Sequence, residues 1–90
     1  MSKSALLGLV QGMARDLGPR GITVNNIQPG PTDTDMNPEA GEFGAALHDL
    51  MALQRHATPD EIAGMVAYVA GPEAGFVTGA SLTIDGGFSA

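Results

Sequence analysis

The sequence predicts an α/β protein whose elements follow the order helix, strand, loop, helix, strand. Two observations predict this class: apolar residues recur at helical spacing in two segments, and two short segments rich in β-branched residues end in glycine or proline turns. Two strands joined through a helix form one parallel βαβ unit. Because parallel sheets are normally covered on both faces within a larger layer, this unit is expected to be incomplete alone.

The first helix is predicted over residues 2–17. Its apolar face is formed by Leu6, Leu9, Val10, Met13 and Leu17. Gly18 and Pro19 end the helix, because proline cannot continue it and disfavours helical angles in the residue before it. Gly8 and Gly12 each weaken a helix interior by about 1 kcal/mol relative to alanine. They indicate either the close approach of another backbone or weak helix formers that the helix tolerates.

Two strands are predicted, over residues 22–28 and 80–85. The first is short and β-branched, and it ends at the turn Pro29–Pro31. The second is closed by Asp85–Gly87, where we expect the aspartate to shape a tight turn. Asn25 is interpreted as a structural residue whose amide holds turn backbone.

Residues 30–57 are predicted to form a loop with a short helix from about Ala45 to Leu53, because prolines, glycines and acidic residues are frequent and periodicity is weak. The second helix is predicted over residues 59–70. Thr58 stands at its N-cap and Glu61 at its third position, which is a capping box. The face expected to be buried comprises Ile62, Met65, Val66 and Val69.

The composition narrows the choice of partners. The chain of 90 residues is 43% apolar and has a net charge of −6, with four basic side chains, Lys3, Arg15, Arg20 and Arg55. So few cations argue against nucleic acid and anionic membrane surfaces as partners. A chain of this length makes one domain at most, and we interpret residues 1–90 as a single partial domain. Because cysteine is absent, no disulfide or thiolate metal site can supplement a thin core.

The N-terminal apolar run, residues 5–10, superficially resembles a signal peptide. Gln11, Arg15 and Asp16 interrupt it, and no small-residue cleavage site follows. No stretch approaches the roughly 18 apolar residues of a membrane span. We therefore expect a soluble, cytoplasmic protein with no membrane partner.

Five segments, taken in order, resemble one protein family. They are Ser2–Ala5, Val24–Gly30, Pro31–Met36, Arg55–Ala63 and Phe76–Gly87. They are similar, respectively, to the end of the Tyr-x-x-x-Lys helix, the sixth strand with its Pro-Gly turn, the cofactor-contacting loop, the capped helix and the last strand of the short-chain dehydrogenases/reductases. The resemblance implies the C-terminal half of a Rossmann-like doubly wound sheet, truncated just after the catalytic tyrosine.

Within the family, the runs Ala14–Asp16, Gly18–Thr23 and Ala70–Ala74 most resemble the biofilm-dispersal mediators that bind cyclic di-GMP. The family resemblance implies a fragment of an NAD(P)(H)-dependent oxidoreductase, which in the full-length parent transfers hydride between nicotinamide and an alcohol or carbonyl. The alternative is a small non-enzymatic protein that uses the family scaffold for binding, for example of cyclic di-GMP, or for self-association.

The resemblance implies one catalytic residue in this chain, Lys3. In a complete relative, its ammonium lowers the pKa of the tyrosine and hydrogen-bonds the nicotinamide ribose. Cofactor binding is implied for Pro29, Gly30, Thr32 and Thr34, which follow a parallel strand where open α/β sheets hold their ligands. From the residues alone, Lys3 is a solvated lysine at a frayed N-terminus, and both threonines favour turns through local hydrogen bonds.

The cofactor implied for the full-length parent is NAD or NADP. None is expected for this chain alone, because the glycine-rich dinucleotide motif and the catalytic serine and tyrosine have no counterpart in it. Tyr68, the one tyrosine present, lies in the second predicted helix and is not expected to be the acid. We therefore expect the isolated chain to be inactive in hydride transfer.

No metal site is predicted. The loop carboxylates, which we interpret as a solvated face, are Asp33, Asp35, Glu39 and Glu42. His48 and His56 have no cysteine to accompany them, and their spacing does not put them on one helical face, so they do not predict a zinc site.

Self-association is predicted, as a dimer or tetramer, with exchange of an element between chains as an easy route. The resemblance implies that the first helix packs in one interface, and the last helix and strand in another. The first strand would also lack its inner neighbour, which leaves unpaired backbone groups that favour pairing with another chain.

Overall fold

The computed structural model describes residues 2–90. Its helices and strands are α1 (Lys3–Leu17), β1 (Asn26–Pro29), α2 (Gly44–His48), α3 (Pro59–Ala70) and β2 (Ser81–Ile84), with short 3-10 turns at Gly18–Arg20 and Pro72–Ala74. The two strands are neighbours in one parallel sheet. This order confirms the predicted α/β class with one parallel βαβ unit.

The chain divides into two compact units, and each is described by itself. One unit comprises Met1–Ile27 with Val66–Leu82, and the other comprises Gln28–Met65 with Thr83–Ala90. The lysine expected in catalysis belongs to the first, and the loop expected to contact the cofactor belongs to the second.

Helix α1 begins at the N-cap Ser2, whose hydroxyl accepts a hydrogen bond from the amide of Ala5 at 3.1 Å. Gly18 follows its last residue, as the Gly-Pro pair predicts. Val10 and Ala14 are the buried residues of this helix. A methyl group added at Gly8 or Gly12 would meet nothing within 4 Å. Within the described chain, therefore, no other backbone approaches Gly8 or Gly12 closely, which was one of the two interpretations of these glycines.

Strand β1 is shorter than predicted, since it begins at Asn26 and not at residue 22. The reason is that side chains hold the preceding residues. The amide of Val24 donates to the hydroxyl of Thr78 at 3.1 Å, and the Asn25 side chain donates to the carbonyl of Val77 at 2.9 Å and accepts from the amide of Ala80 at 3.2 Å. The structural role expected of Asn25 is thus confirmed.

Strand β2 covers Ser81–Ile84, one residue shorter at each end than predicted. Asp85 follows it and closes a turn: one carboxylate oxygen accepts from the amide of Gly87 and the other from the amide of Ser89, both at 3.0 Å. Gly86 and Gly87 have φ values of 61° and 85°, which favour glycine. Asp85 therefore shapes the turn as predicted.

The long connection after β1 contains α2, which begins near the expected position and ends five residues earlier than predicted, at His48. After His48 the backbone forms tight turns, in which the amides of Leu50 and Met51 donate hydrogen bonds to the carbonyls three residues earlier. The amide of Leu53 then donates to the carbonyl of Gly86 at 2.8 Å, which draws the chain out of helical geometry.

Helix α3 starts with the predicted capping box. The amide of Thr58 donates to a carboxylate oxygen of Glu61 at 2.9 Å, and the amide of Glu61 donates to the Thr58 hydroxyl at 3.2 Å. Three of the four residues predicted to form the buried face, Ile62, Met65 and Val69, are the half-buried residues of α3, and the fourth is exposed; no residue of this helix is fully buried in the chain by itself.

Each unit buries few apolar residues. They are Val10, Ala14 and Ala74 in the first unit and Met51 in the second, and among residues 2–90 no large side chain is fully enclosed. A chain this short encloses little apolar surface. Across residues 2–90, no helix has the length and apolar character needed to cross a bilayer.

Candidate functional site

The candidate site in the second unit starts at the turn after β1. The amide of Gly30 donates to the carbonyl of Ile84 at 3.0 Å, which continues the sheet pairing by one residue. A methyl group at Gly30 would lie 2.7 Å from Cα of Asp85. Gly30 is therefore required by the close approach of the two backbones, a role that is independent of any ligand.

Thr32 follows in extended backbone and forms an isolated parallel bridge with Ala57. The bridge consists of two hydrogen bonds, from the amide of Ala57 to the carbonyl of Pro31 at 2.9 Å and from the amide of Asp33 to the carbonyl of Ala57 at 2.8 Å. Because peptide groups alternate along an extended chain, the amide and carbonyl of Thr32 itself face away from Ala57. Neither has a hydrogen-bond partner among residues 2–90.

The side chains of the two threonines are arranged differently. The Thr32 hydroxyl donates to the carbonyl of Gly30 at 3.0 Å, so its proton is used within the turn. The exposed Thr34 hydroxyl accepts from the amide of Asn37 at 3.2 Å, which leaves its proton free to donate elsewhere. The structure thus brings Pro29, Gly30, Thr32 and Thr34 together in one turn, and their role in binding a cofactor stays a prediction.

Lys3 lies in the other unit, in the first turn of α1, where it is exposed. Its ammonium makes no ion pair or hydrogen bond with the part of the chain that the structure describes. Its catalytic role also stays a prediction.

An ion pair that the sequence reasoning missed stands at the start of α3. The Arg55 guanidinium donates to both carboxylate oxygens of Glu61, at 2.7 and 2.9 Å. The hydrogen bonds from Arg55 are the main cause that lowers the pKa of Glu61 to about 2, and the hydrogen bond from the Thr58 amide is the second. The Glu61 carboxylate in turn raises the pKa of Arg55. In the turn after β2, hydrogen bonding by Ser89 and Gly87 lowers the pKa of Asp85.

A second missed feature is the convergence of Glu39, His48 and His56. Atom Nε2 of His48 lies 2.9 Å from Nδ1 of His56 and 3.6 Å from Oε2 of Glu39. The two histidines are in contact, so the prediction that their spacing keeps them apart is wrong. Each histidine follows its own backbone path, one ending α2 and the other preceding the bridge at Ala57, so no sequence spacing signals their contact.

A parallel βαβ unit whose first strand ends in a Pro-Gly turn places the chain among α/β proteins built from parallel strands and crossover helices. The family profile described as enoyl-(acyl carrier protein) reductase matches residues 1–89. The chain belongs to the short-chain dehydrogenase/reductase family, as the sequence motifs predict.

Individual relatives support this assignment. The chain is 64% identical over 89 residues to the cyclic-di-GMP-binding biofilm dispersal mediator protein of Escherichia coli strain K12, a match that covers 99% of this chain and 38% of that protein. The structure of a short-chain dehydrogenase/reductase from Serratia marcescens matches with a TM-score of 0.93 and 70% identity, over 98% of this chain and 36% of that one. The structure of BdcA in complex with NADPH matches with a TM-score of 0.90 and 64% identity, over 96% and 35%.

The chain spans between about a third and two fifths of the length of these relatives. The similarity to the biofilm dispersal mediator confirms the predicted subfamily resemblance, and the solved relatives confirm the Rossmann-like class.

Proposed function

We propose that this chain forms the nicotinamide-facing part of an NAD(P)(H)-dependent oxidoreductase, corresponding to the C-terminal part of a longer parent. In that parent, hydride passes between the nicotinamide and an alcohol or carbonyl substrate. The proposal is carried by one observation, the backbone amide and carbonyl of Thr32, which are oriented by the bridge to Ala57 and have no partner in the described residues. The relative solved with NADPH supports the choice of cofactor.

The residues of the turn fit a nicotinamide carboxamide. That group has one acceptor oxygen and one donor nitrogen, and Thr32 offers the complementary pair, an N–H that donates and a C=O that accepts. The free proton of the Thr34 hydroxyl adds a second donor beside it. When bound, the nicotinamide would supply or accept the hydride.

Lys3 is proposed as the lysine of the family's catalytic pair. An ammonium beside a phenol lowers the pKa of the phenol and keeps it able to exchange a proton near neutral pH. Tyr68 lies on α3 and is proposed to take no part. This chain by itself is therefore proposed to hold no dinucleotide and to be inactive, and a cytoplasmic location is part of the same proposal.

The alternative function, binding of cyclic di-GMP without catalysis, is favoured by the 64% identical relative, which is named as a cyclic-di-GMP-binding protein. Charge argues against it for this chain alone. The net charge of −6 disfavours a ligand that carries two negatively charged phosphodiesters, and one of the three arginines, Arg55, is already paired with Glu61. The cofactor proposal is accordingly preferred.

A hybrid protein tests the proposal. The matching segment of BdcA, the relative solved in complex with NADPH, is replaced by this chain, and NADPH binding is followed by nucleotide fluorescence and calorimetry. We expect the hybrid to bind NADPH as its parent does, and Lys3→Ala to lower its turnover by on the order of 100-fold. Ser4→Ala, an exposed change in the same helical turn, serves as the matched control.

The isolated chain is tested in parallel with NADPH and with cyclic di-GMP. A well-folded hybrid that fails to bind NADPH would refute the proposal. So would NAD(P)H oxidation by the isolated chain that Lys3→Ala abolishes. Binding of cyclic di-GMP by the isolated chain would favour the alternative.

A further inference from the structure

Three side chains from separate parts of the second unit converge on one point. Glu39 precedes α2, His48 ends it, and His56 lies before the bridge residue Ala57. One ligating atom from each of the three lies within 4.8 Å of the other two. We propose that Glu39, His48 and His56 form a binding site for a divalent transition-metal ion of the zinc type.

The donor set suits such an ion. Zn²⁺ is bound by imidazole nitrogens and carboxylate oxygens, and two histidines with one glutamate is an established set for sites that keep a fourth position open to water. Bonds of about 2.0–2.1 Å put neighbouring ligands of a tetrahedral ion about 3.3 Å apart. The separations of 2.9 Å between the two histidines and 3.6 Å between His48 and Glu39 lie on either side of this value.

The backbone holds the three side chains in place before any ion arrives. Oε2 of Glu39 accepts from the amide of His56 at 2.8 Å, which fixes the carboxylate beside the histidine pair. The amide of Glu39 donates to a carboxylate oxygen of Asp33 at 2.8 Å. Gly44, the first residue of α2, packs so closely on the carbonyl of Glu39 that a methyl group would not fit there. Outer contacts of this kind orient metal ligands.

Hydrogen bonding alone leaves the cluster unsatisfied. The contact between the two rings uses one proton, carried by either His48 or His56. In both cases Nε2 of His56 stays buried with no partner in the described chain, in a residue that is 3% exposed. An ion bound through Nδ1 of His56 would not contact this atom. It would fix the proton of that ring on Nε2 and replace the single proton shared between the facing nitrogens of His48 and His56.

The charge of the whole chain also favours a cation. Its net charge is −6, which raises the local concentration of positive ions, and the neighbouring guanidinium of Arg55, which donates to the carbonyl of His56 at 3.1 Å, is paired with Glu61. His56 is buried, while Glu39 and His48 are half-buried, so the cluster has one enclosed side and one side open to solvent. The open side provides an entry path and room for a water ligand.

The test is calorimetric titration of the metal-free chain with ZnCl₂, together with visible absorption after Co²⁺ substitution. We expect one equivalent to bind, and His48→Ala and Glu39→Gln each to weaken binding by at least about tenfold. Glu42→Gln and Asp35→Asn, exposed carboxylates of the same connection, are the matched controls and should bind as the wild type does. His48 and Glu39 are half-buried, so these variants are chosen over changes at the buried His56.

Ring-nitrogen NMR identifies the ligating atoms. Zn²⁺ should shift Nε2 of His48 and Nδ1 of His56, and far-UV circular dichroism shows whether each variant keeps its helices. If the metal-free chain is unfolded, Zn²⁺ should fold the wild type and the controls but not the two ligand variants. Absence of binding, or equal binding by the ligand variants and the controls, would overturn the site. Because no readout involves NAD(P)H, the result is independent of the oxidoreductase proposal.

Discussion

Helix α1 and the connection from Pro31 to Ala57 differ in what holds them in place. The helix follows a simple local pattern, yet Leu9 and Met13 on its apolar face remain 48% and 42% exposed. The connection has little regular structure. Nevertheless, side chains of Asp33 and Glu39 accept backbone amides within it, and two hydrogen bonds of the bridge close it at Ala57.

The difference separates two sources of order. A helix can form from local spacing and capping, but its stability in a protein comes mostly from burying its apolar face. In residues 2–90, the surface that would cover the apolar face of α1 is incomplete. The connection also exposes apolar side chains, among them Met36 at 98% and Phe43 at 70%, but its backbone path is fixed by hydrogen bonds within it and not by a buried apolar face. The stability of the regular element thus depends on covering its apolar face, whereas the irregular element is held by hydrogen bonds within itself.

The largest expected effect concerns assembly. Because the apolar face of α1 is only half covered, we expect the chain to form dimers or larger oligomers at micromolar concentration. Sedimentation equilibrium should show this, and the double change Leu9→Asp with Met13→Asp should shift the chain toward monomer. Leu50→Asp, at an exposed site in the connection, should not. A well-folded wild-type monomer would contradict the inference that α1 needs another surface to cover its apolar face.

The next effect concerns the start of the connection. Gly30→Ala would place a methyl group 2.7 Å from Cα of Asp85. Forcing the backbones apart should lower the free energy of unfolding by about 1–3 kcal/mol. Gly12→Ala is the matched control, because the same methyl group there meets nothing within 4 Å. It should raise the free energy of unfolding by about 0.5–1 kcal/mol. Denaturant unfolding of both variants measures the difference, and equal effects would contradict it.

A smaller effect is expected where the connection meets α3. Thr58→Ala removes the hydroxyl that accepts from the amide of Glu61. Loss of an N-cap side chain should lower the free energy of unfolding by about 1 kcal/mol. Thr23→Ala, at an exposed threonine whose hydroxyl makes no hydrogen bond within residues 2–90, is the control. If both variants unfold alike, the capping box does not stabilise the helix.

Features coded by adjacent residues could be predicted from the sequence. The capping box at Thr58 and Glu61, the end of α1 at Gly18 and the turn at Asp85 all depend on residues within one helical turn of each other. The family motifs added the sheet class and the Pro-Gly turn. The start of β1 could not be predicted, because the Asn25 side chain replaces the strand pairing through contacts with residues near the opposite end of the chain.

The site was predicted in part for the same reason. Thr32 and Thr34 follow a strand and a Pro-Gly turn, which the sequence displays. The free amide and carbonyl of Thr32 depend on its bridge to Ala57, and the cluster at His56 depends on how distant parts of the same connection fold together. Neither arrangement has a sequence spacing of its own, so both needed the structure.

The smallest expected effect is the pH dependence of the ion pair at the end of the connection. Hydrogen bonds from Arg55 and Thr58 lower the pKa of Glu61 from 4.5 to about 2 in the folded chain. Since the folded state binds this proton less readily than the unfolded state, the carboxylate stabilises the fold above about pH 4.5. That contribution is lost as the pH falls from 4.5 toward 2.

Urea unfolding of the wild type and Glu61→Gln, measured from about pH 6 down to about pH 2, isolates this contribution from that of the other carboxylates. The wild type should be the more stable of the two at pH 6, and the difference should vanish near pH 2. Both partners are exposed, so added salt should reduce the difference at pH 6. If the stability difference between the wild type and Glu61→Gln stays constant over this pH range, the ion pair between Arg55 and Glu61 does not stabilise the connection. Backbone hydrogen bonds alone would then determine the order of the connection.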